Sequence, residues 1–98
     1  MPEPISLQEV RTAIDVVDAD LVRLLARRER LVRRAAPLKR DAQAVQAPGR
    51  VEQVIARARA QALTAGADPD VVERIYRAMV QAFIDMELAE HRQATPRQ

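Results

Sequence analysis

The chain has 98 residues, of which 48% are apolar and 2% are aromatic, which is enough for one small domain with an aliphatic core. Its 16 basic and 14 acidic residues leave a formal net charge of +2, too small to indicate a nucleic acid or a membrane as the partner. The absence of cysteine excludes disulfides and thiolate chemistry, and no apolar run is long enough for a signal peptide or a membrane span, so we expect a cytoplasmic protein.

The first predicted element is a long helix from about Ser6 to Lys39, after an extended lead-in of residues 1–5. Ser6 and Glu9 fit a capping box at its start. A helix of about 33 residues is roughly 50 Å long, whereas a globule of about 100 residues has a radius of gyration near 13 Å. The chain alone therefore cannot bury the seam of this helix, whose positions recur at spacings of three and four and are apolar except Arg28: Leu7, Val10, Ile14, Val17, Leu21, Leu24, Arg28, Leu31, Ala35 and Leu38.

Three cations on this helix suggest a binding site. Arg28 occupies a position of the apolar seam, so we expect an anion beside it, because an unpaired buried guanidinium is costly. Lys39 is the only lysine of the chain and shares a face with Arg28, roughly 16 Å further along. Arg11 lies 17 residues before Arg28 and is turned from it by roughly 100°. Pro37 predicts a kink or an early helix end near residues 33–36, which leaves the direction of Lys39 open.

A second helix is predicted from about Arg50 to Ala65, after a connection of residues 41–49 in which Pro48 and Gly49 interrupt any helix. Gly66 is expected to end it. Its spacing predicts one apolar stripe, formed by Val51, Val54, Ile55, Ala58 and Ala62.

A third helix is predicted from Pro69, capped by Asp68, to about Arg92, with a frayed tail after it. Glu87 lies four residues after Phe83, which places a carboxyl group on the apolar side of this helix. The other residues of that side are Val72, Ile75, Tyr76, Met79, Val80 and Met86.

The chemistry open to these residues is narrow. The only histidine, His91, lies near the frayed end and fits a surface residue better than a base, and the carboxylates lack metal-ligand spacing. Such a chain can bind a small dianion and stabilise developing negative charge, and we expect no metal and no cofactor. The groups available for this beside the apolar faces are one acid and four cations: Glu87, Arg11, Arg28, Lys39 and Arg50.

The first helix resembles a known family. From Leu7 to Leu31 it reads L-x-x-V-R-x-x-I-D-x-x-D-x-x-L-x-x-L-L-x-x-R-x-x-L, and Lys39 follows. This pattern resembles the all-helical AroQ class of chorismate mutases, over a core of about residues 6–92 of a single domain, 1–98. The resemblance implies an all-α, intertwined homodimer of three-helix chains. It also implies the Claisen rearrangement of chorismate to prephenate, by clamping of the substrate and electrostatic stabilisation.

The resemblance implies a role for each polar residue of the site. Arg11 of one chain and Arg28 of the other would clamp the two carboxylates. Lys39 would donate a hydrogen bond to the ether oxygen, where negative charge grows, and Arg50 matches the family's arginine at the start of the second helix. Glu87 stands where the family usually has a glutamine that donates to the same oxygen. An ionised Glu87 could only accept, so we expect it to be protonated when it acts, and activity to fall as the pH rises.

Two departures from the family pattern leave the substrate open. Val51 stands where these mutases usually carry a glutamate that binds the ring hydroxyl, and residues 47–51, A-P-G-R-V, resemble the A-P-x-R-V element of isochorismate-pyruvate lyases. Phe83, in place of a small polar residue, favours the same relatives. We expect a chorismate mutase, with isochorismate-pyruvate lyase and a mutase of an amino-substituted chorismate as alternatives. A helical dimerisation module without activity would instead pair Arg28 with an acid of the partner chain.

Overall fold

The computed structural model describes residues 6–94, which form four α-helices and one 3₁₀ turn and contain no strand. The all-α class predicted from the sequence is confirmed. The predicted lead-in of residues 1–5 and residues 95–98 of the predicted tail lie outside the described range. Ala94, the first residue of the predicted tail, still belongs to the last helix. No helix within that range combines the length and the apolar character needed to cross a membrane. In chain order the elements are α1 Leu7–Ala35, the 3₁₀ turn Ala36–Leu38, α2 Ala42–Gln46, α3 Pro48–Ala65 and α4 Pro69–Ala94.

The chain divides by its internal contacts into one unit up to Leu31 and another from Val32 onward. The first unit consists of most of α1, which the Ser6 hydroxyl caps by accepting a hydrogen bond from the Glu9 N–H at 3.0 Å. No residue of α1 is buried, and the apolar residues of its seam from Leu7 to Leu31 are 41–64% exposed. The prediction that this chain alone does not bury the seam is therefore confirmed.

The long helix predicted to reach Lys39 ends at Ala35, within the interval that Pro37 indicated. Pro37 lacks an N–H for the helical hydrogen-bond pattern, and the chain tightens into the 3₁₀ turn Ala36–Leu38. Lys39 then takes an extended conformation with φ −96° and ψ 131°, and its N–H donates to the carbonyl of Ala36 at 3.1 Å. Lys39 thus leaves α1 and joins the second unit.

The connection of residues 41–49 is not the loop that the sequence predicted. Asp41 caps α2 within it by accepting from the Ala44 N–H at 2.9 Å, and Val45 is buried. Pro48 begins α3 instead of interrupting a helix, because a proline at the first helical position loses no hydrogen bond. The chain turns between α2 and α3 at Ala47, which is held in the left-handed region with φ 35°. The start of α3 was therefore predicted two residues too late.

The second unit is built on an antiparallel pair of helices, α3 and α4. Gly66 ends α3 with φ 79°, which suits a residue without a Cβ atom, and its N–H donates to the last carbonyls of the helix. Asp68 caps α4 by accepting from the N–H of Asp70 at 2.9 Å, as predicted. The alanines of α3 let the two helices approach closely. The buried apolar residues are Val45, Ile55, Ala58, Ala62 and Val80.

Candidate active site

A buried carboxyl group of α4 pairs with the only lysine of the chain. The Lys39 Nζ donates to both carboxyl oxygens of Glu87, at 3.0 Å from Oε1 and 2.9 Å from Oε2. Glu87 is 5% exposed, and it is the one buried charged residue among those that the structure describes. The structure thus joins two of the predicted catalytic residues, although 48 positions separate them in the sequence.

The local structure explains why these two side chains meet. Glu87 lies two helical turns after Val80, so both face the buried side of α4. A carboxyl group in that position needs a hydrogen-bonding partner. The 3₁₀ turn after α1 supplies one, because it ends the helix before Lys39 and leaves this side chain 28% exposed beside Glu87. The question that Pro37 raised about the direction of Lys39 is answered by this contact.

The pair limits what can bind beside it. An ammonium has three N–H groups, so the two contacts with Glu87 leave Lys39 a further donor for an oxygen of a ligand. An ionised carboxylate can only accept hydrogen bonds and repels an anion, whereas a protonated one can donate. Lys39 can therefore stabilise an anionic oxygen directly, and Glu87 can assist only in its protonated form.

Three other predicted site residues lie in the same unit. Arg50 is exposed in the first turn of α3, and its Nη1 donates to Gln53 Oε1 at 2.7 Å. Val51 follows it and is half-buried, and Phe83 is half-buried one turn before Glu87. The valine side chain at position 51 has no hydrogen-bond acceptor and presents only an apolar surface.

The remaining two predicted residues, Arg11 and Arg28, lie on α1 in the first unit. Arg11 is exposed and Arg28 is half-buried. The 17 positions between them correspond to roughly 25 Å along the helix. A small ligand cannot span that distance, so the arginines of one α1 cannot both contact the same molecule.

A cavity of about 530 Å³ opens between α2, α3 and α4. Val51 lines it, whereas Lys39 and Glu87 do not. Apolar side chains such as Val80 and Ile84 line it together with the polar side chains of Glu52 and Arg77. Val51, in the first turn of α3, thus borders a space large enough for a small molecule.

An ion-pair network that the sequence analysis missed crosses from α3 to α4. Arg77 donates from Nη1 and Nη2 to the two oxygens of Glu52, at 3.0 Å each, and from Nε to Glu73 at 2.8 Å. Arg59 donates to Glu73 and Asp70, both at 2.9 Å. The Arg77 hydrogen bonds hold the pKa of the Glu52 and Glu73 carboxyls below the usual value, and the same carboxylates raise the pKa of Arg77.

Only one contact of this network has a residue spacing that can be recognised in the sequence. The spacing of four between Glu73 and Arg77 is that of a helical ion pair. The contact of Arg77 with Glu52 joins positions 25 apart and depends on how α3 and α4 pack.

Among residues 6–94 no group of three or more histidine, cysteine or acidic side chains is arranged to hold a metal ion. His91 is half-buried near the end of α4.

Comparison with known proteins identifies the family. The sequence profile of the chorismate mutase type II family matches residues 10–88, a region that runs from the start of α1 to Leu88 on α4. This region includes Arg11, Arg28 and the Lys39–Glu87 pair. A search of curated proteins finds no match. Because the profile covers far more than half of the sequence, the chain belongs to the chorismate mutase type II family, the all-helical AroQ class.

Proposed function

We propose that this protein is a chorismate mutase, an isomerase that converts chorismate to prephenate. In this rearrangement the ether C–O bond breaks while a new C–C bond forms within the same molecule, and no proton or electron is gained or lost. The enzyme therefore needs to position the substrate and to stabilise the charge that develops at the ether oxygen. Membership of the chorismate mutase type II family supports this reaction class.

The contact between Lys39 and Glu87 is the main support for this function. The family's substrate is a dicarboxylate. A lysine ammonium that a buried carboxyl group holds in a fixed position can donate a hydrogen bond to negative charge that develops on such a substrate. Lys39 donates its free N–H to the ether oxygen. Glu87 donates to the same oxygen in its protonated form, as the family's glutamine does in other members.

A complete site requires two chains. In the proposed homodimer the exposed seams of the two α1 helices cover each other, which buries their apolar residues. Each site then takes Arg11 from one protomer and Arg28, Lys39 and Arg50 from its partner. The distance between Arg11 and Arg28 along α1 supports this division.

A second candidate function is isochorismate-pyruvate lyase, which releases salicylate and pyruvate. Val51 favours it, because a half-buried valine offers no acceptor for the ring hydroxyl of chorismate. The A-P-G-R-V segment, residues 47–51, resembles the corresponding element of these lyases.

The experiment that separates these functions is product analysis by NMR after separate incubations of the purified protein with chorismate and with isochorismate. We expect prephenate from chorismate and only slow turnover of isochorismate. Efficient release of salicylate and pyruvate from isochorismate would instead assign the lyase. Turnover of neither substrate would contradict both proposals and favour an amino-substituted chorismate or a dimerisation module.

A further inference from the structure

Arg77 uses the whole of its guanidinium group to connect two helices. Its Nε is bound to Glu73 on its own helix, and both Nη atoms are bound to Glu52 on α3. The contact with Glu73 fixes the plane of the guanidinium group before it meets the carboxylate of Glu52. A bidentate contact made by a group held in this way restricts how the partner helix can turn.

Glu52 lies in the part of α3 that carries two of the proposed substrate contacts. Successive residues of a helix are turned by about 100°, so Glu52 and Arg50 point to nearly opposite edges of α3. Val51 lies between them and is half-buried. A rotation of this turn about the helix axis would therefore move all three side chains together. A contact that holds Glu52 also sets the direction of Arg50.

The Glu52–Arg77 pair is exposed but has a well-defined geometry. The Glu52 side chain is 64% exposed and that of Arg77 is 45% exposed. An isolated ion pair in such surroundings contributes little to the free energy of unfolding, whereas a bidentate pair within a network contributes more. The bidentate geometry also constrains the orientation of the two groups.

We propose that Arg77 and Glu52 are positioning residues, which orient the first turn of α3 so that Arg50 and Val51 face the substrate. This inference rests on the proposed function, because that function is what makes Arg50 and Val51 substrate contacts. Arg77 and Glu52 line the cavity together with Val51, and in this proposal they act through Arg50 and Val51 and do not bind the substrate themselves. Their effect is exerted through the backbone of α3, whose Ile55 is buried.

The kinetic test compares Arg77→Gln and Glu52→Gln with Arg59→Gln as the control. Arg59 belongs to the same network and to the same edge of α3, two turns after Glu52, and its substitution also breaks two ion pairs. We expect both test variants to raise KM for chorismate about tenfold with little change in kcat, the sign of lost binding in the ground state. The control variant is expected to leave KM and kcat unchanged.

A second measurement tests the positioning without any substrate. In an assigned ¹H–¹⁵N NMR spectrum we expect Arg77→Gln to shift the backbone amide signals of Arg50 and Val51. Arg74→Gln is the control here, because Arg74 is exposed one turn away on the same helix. Equal effects of the test and control variants, or unchanged KM and unchanged amide signals, would overturn the proposal. If the wild type consumes neither chorismate nor isochorismate, the proposed function fails, and the amide signals alone decide whether Arg77 orients α3.

Discussion

At the scale of single residues, the contact between Lys39 and Glu87 explains a charge on the apolar side of α4. A carboxylate that is 5% exposed would be strongly destabilising without a partner, and Lys39 supplies two hydrogen bonds to it. The pair is therefore stable before any ligand binds. In the proposed function the same ammonium then meets an anionic substrate in a fixed position.

Glu87→Gln tests the donor role of Glu87. An ionised carboxylate can only accept hydrogen bonds, whereas the amide of glutamine can donate one. We therefore expect Glu87→Gln to have a kcat/KM for chorismate at least as high as that of the wild type. The measurement is kcat/KM in both proteins under the same conditions. A large loss of activity in Glu87→Gln would contradict the donor role of Glu87.

The sequence pointed to both members of this pair, but for different reasons. Lys39 stood out as the only lysine among 16 basic residues, and Glu87 as an acid at an apolar spacing. Their direct contact was not predicted, because it depends on where the 3₁₀ turn leaves the chain after α1. Glu52 and Arg77 were missed because exposed charges on separate helices carry no spacing that reveals a contact.

At the scale of helices, the helix ends that are marked by a capping side chain or by a glycine were predicted best. Ser6, Asp68 and Gly66 cap or end their helices as their side chains and backbone preferences require. The start of α3 was misjudged because Pro48 can either break a helix or begin one. Which of these occurs depends on Ala47, whose left-handed conformation turns the chain from α2 into α3.

The conformation of Ala47 predicts a stabilising substitution. A residue with a Cβ atom loses roughly 1–2 kcal/mol in the left-handed region, whereas glycine loses more entropy on folding, by about 0.4–1 kcal/mol. Ala47→Gly should therefore raise the free energy of unfolding by about 0.5 kcal/mol. Ala60→Gly, at an exposed position of α3, is the control and should lower it by about 1 kcal/mol. Chemical denaturation measures both, and a destabilised Ala47→Gly would show that the turn carries no strain.

At the scale of the whole molecule, the exposed seam of α1 is the feature that a single chain leaves unexplained. The sequence predicted this from helix length and apolar spacing alone, since neither depends on tertiary packing. What the sequence could not establish is which surface covers the seam. The proposed answer, a second α1, makes two separate predictions about assembly and about the sharing of active sites.

The first prediction concerns assembly. Leu21→Glu places a charge in the middle of the seam, where Leu21 is 51% exposed in the single chain and buried in the proposed dimer. We expect the variant to sediment as a monomer at a concentration at which the wild type is a dimer. Ala26→Glu adds the same charge at an exposed position off the seam and should remain dimeric. A dimeric Leu21→Glu protein, or a monomeric wild type, would be incompatible with seam-to-seam pairing.

The second prediction concerns shared sites. Arg11→Ala and Arg28→Ala should each be inactive alone, because every site needs one arginine from each protomer. Mixed after subunit exchange, half of the dimers carry both variants, and one of their two sites is intact. The mixture should therefore recover on the order of a quarter of the wild-type activity. No recovery, with exchange verified by mass spectrometry, would mean that both arginines act from the same chain.

In the proposed mechanism the Lys39 ammonium stabilises the reacting oxygen of chorismate. The most direct measurement is the rate of prephenate formation by Lys39→Gln/Glu87→Gln compared with Glu87→Gln and the wild type. Lys39→Gln alone would leave a buried carboxylate without its cation and cost about 3–5 kcal/mol of stability, whereas the double variant replaces the ion pair with two amides. We expect the double variant to fold and dimerise as the wild type does and to lose about 10²–10³ in kcat, while Glu87→Gln remains active. A folded double variant that forms prephenate at the wild-type rate would contradict this role of Lys39.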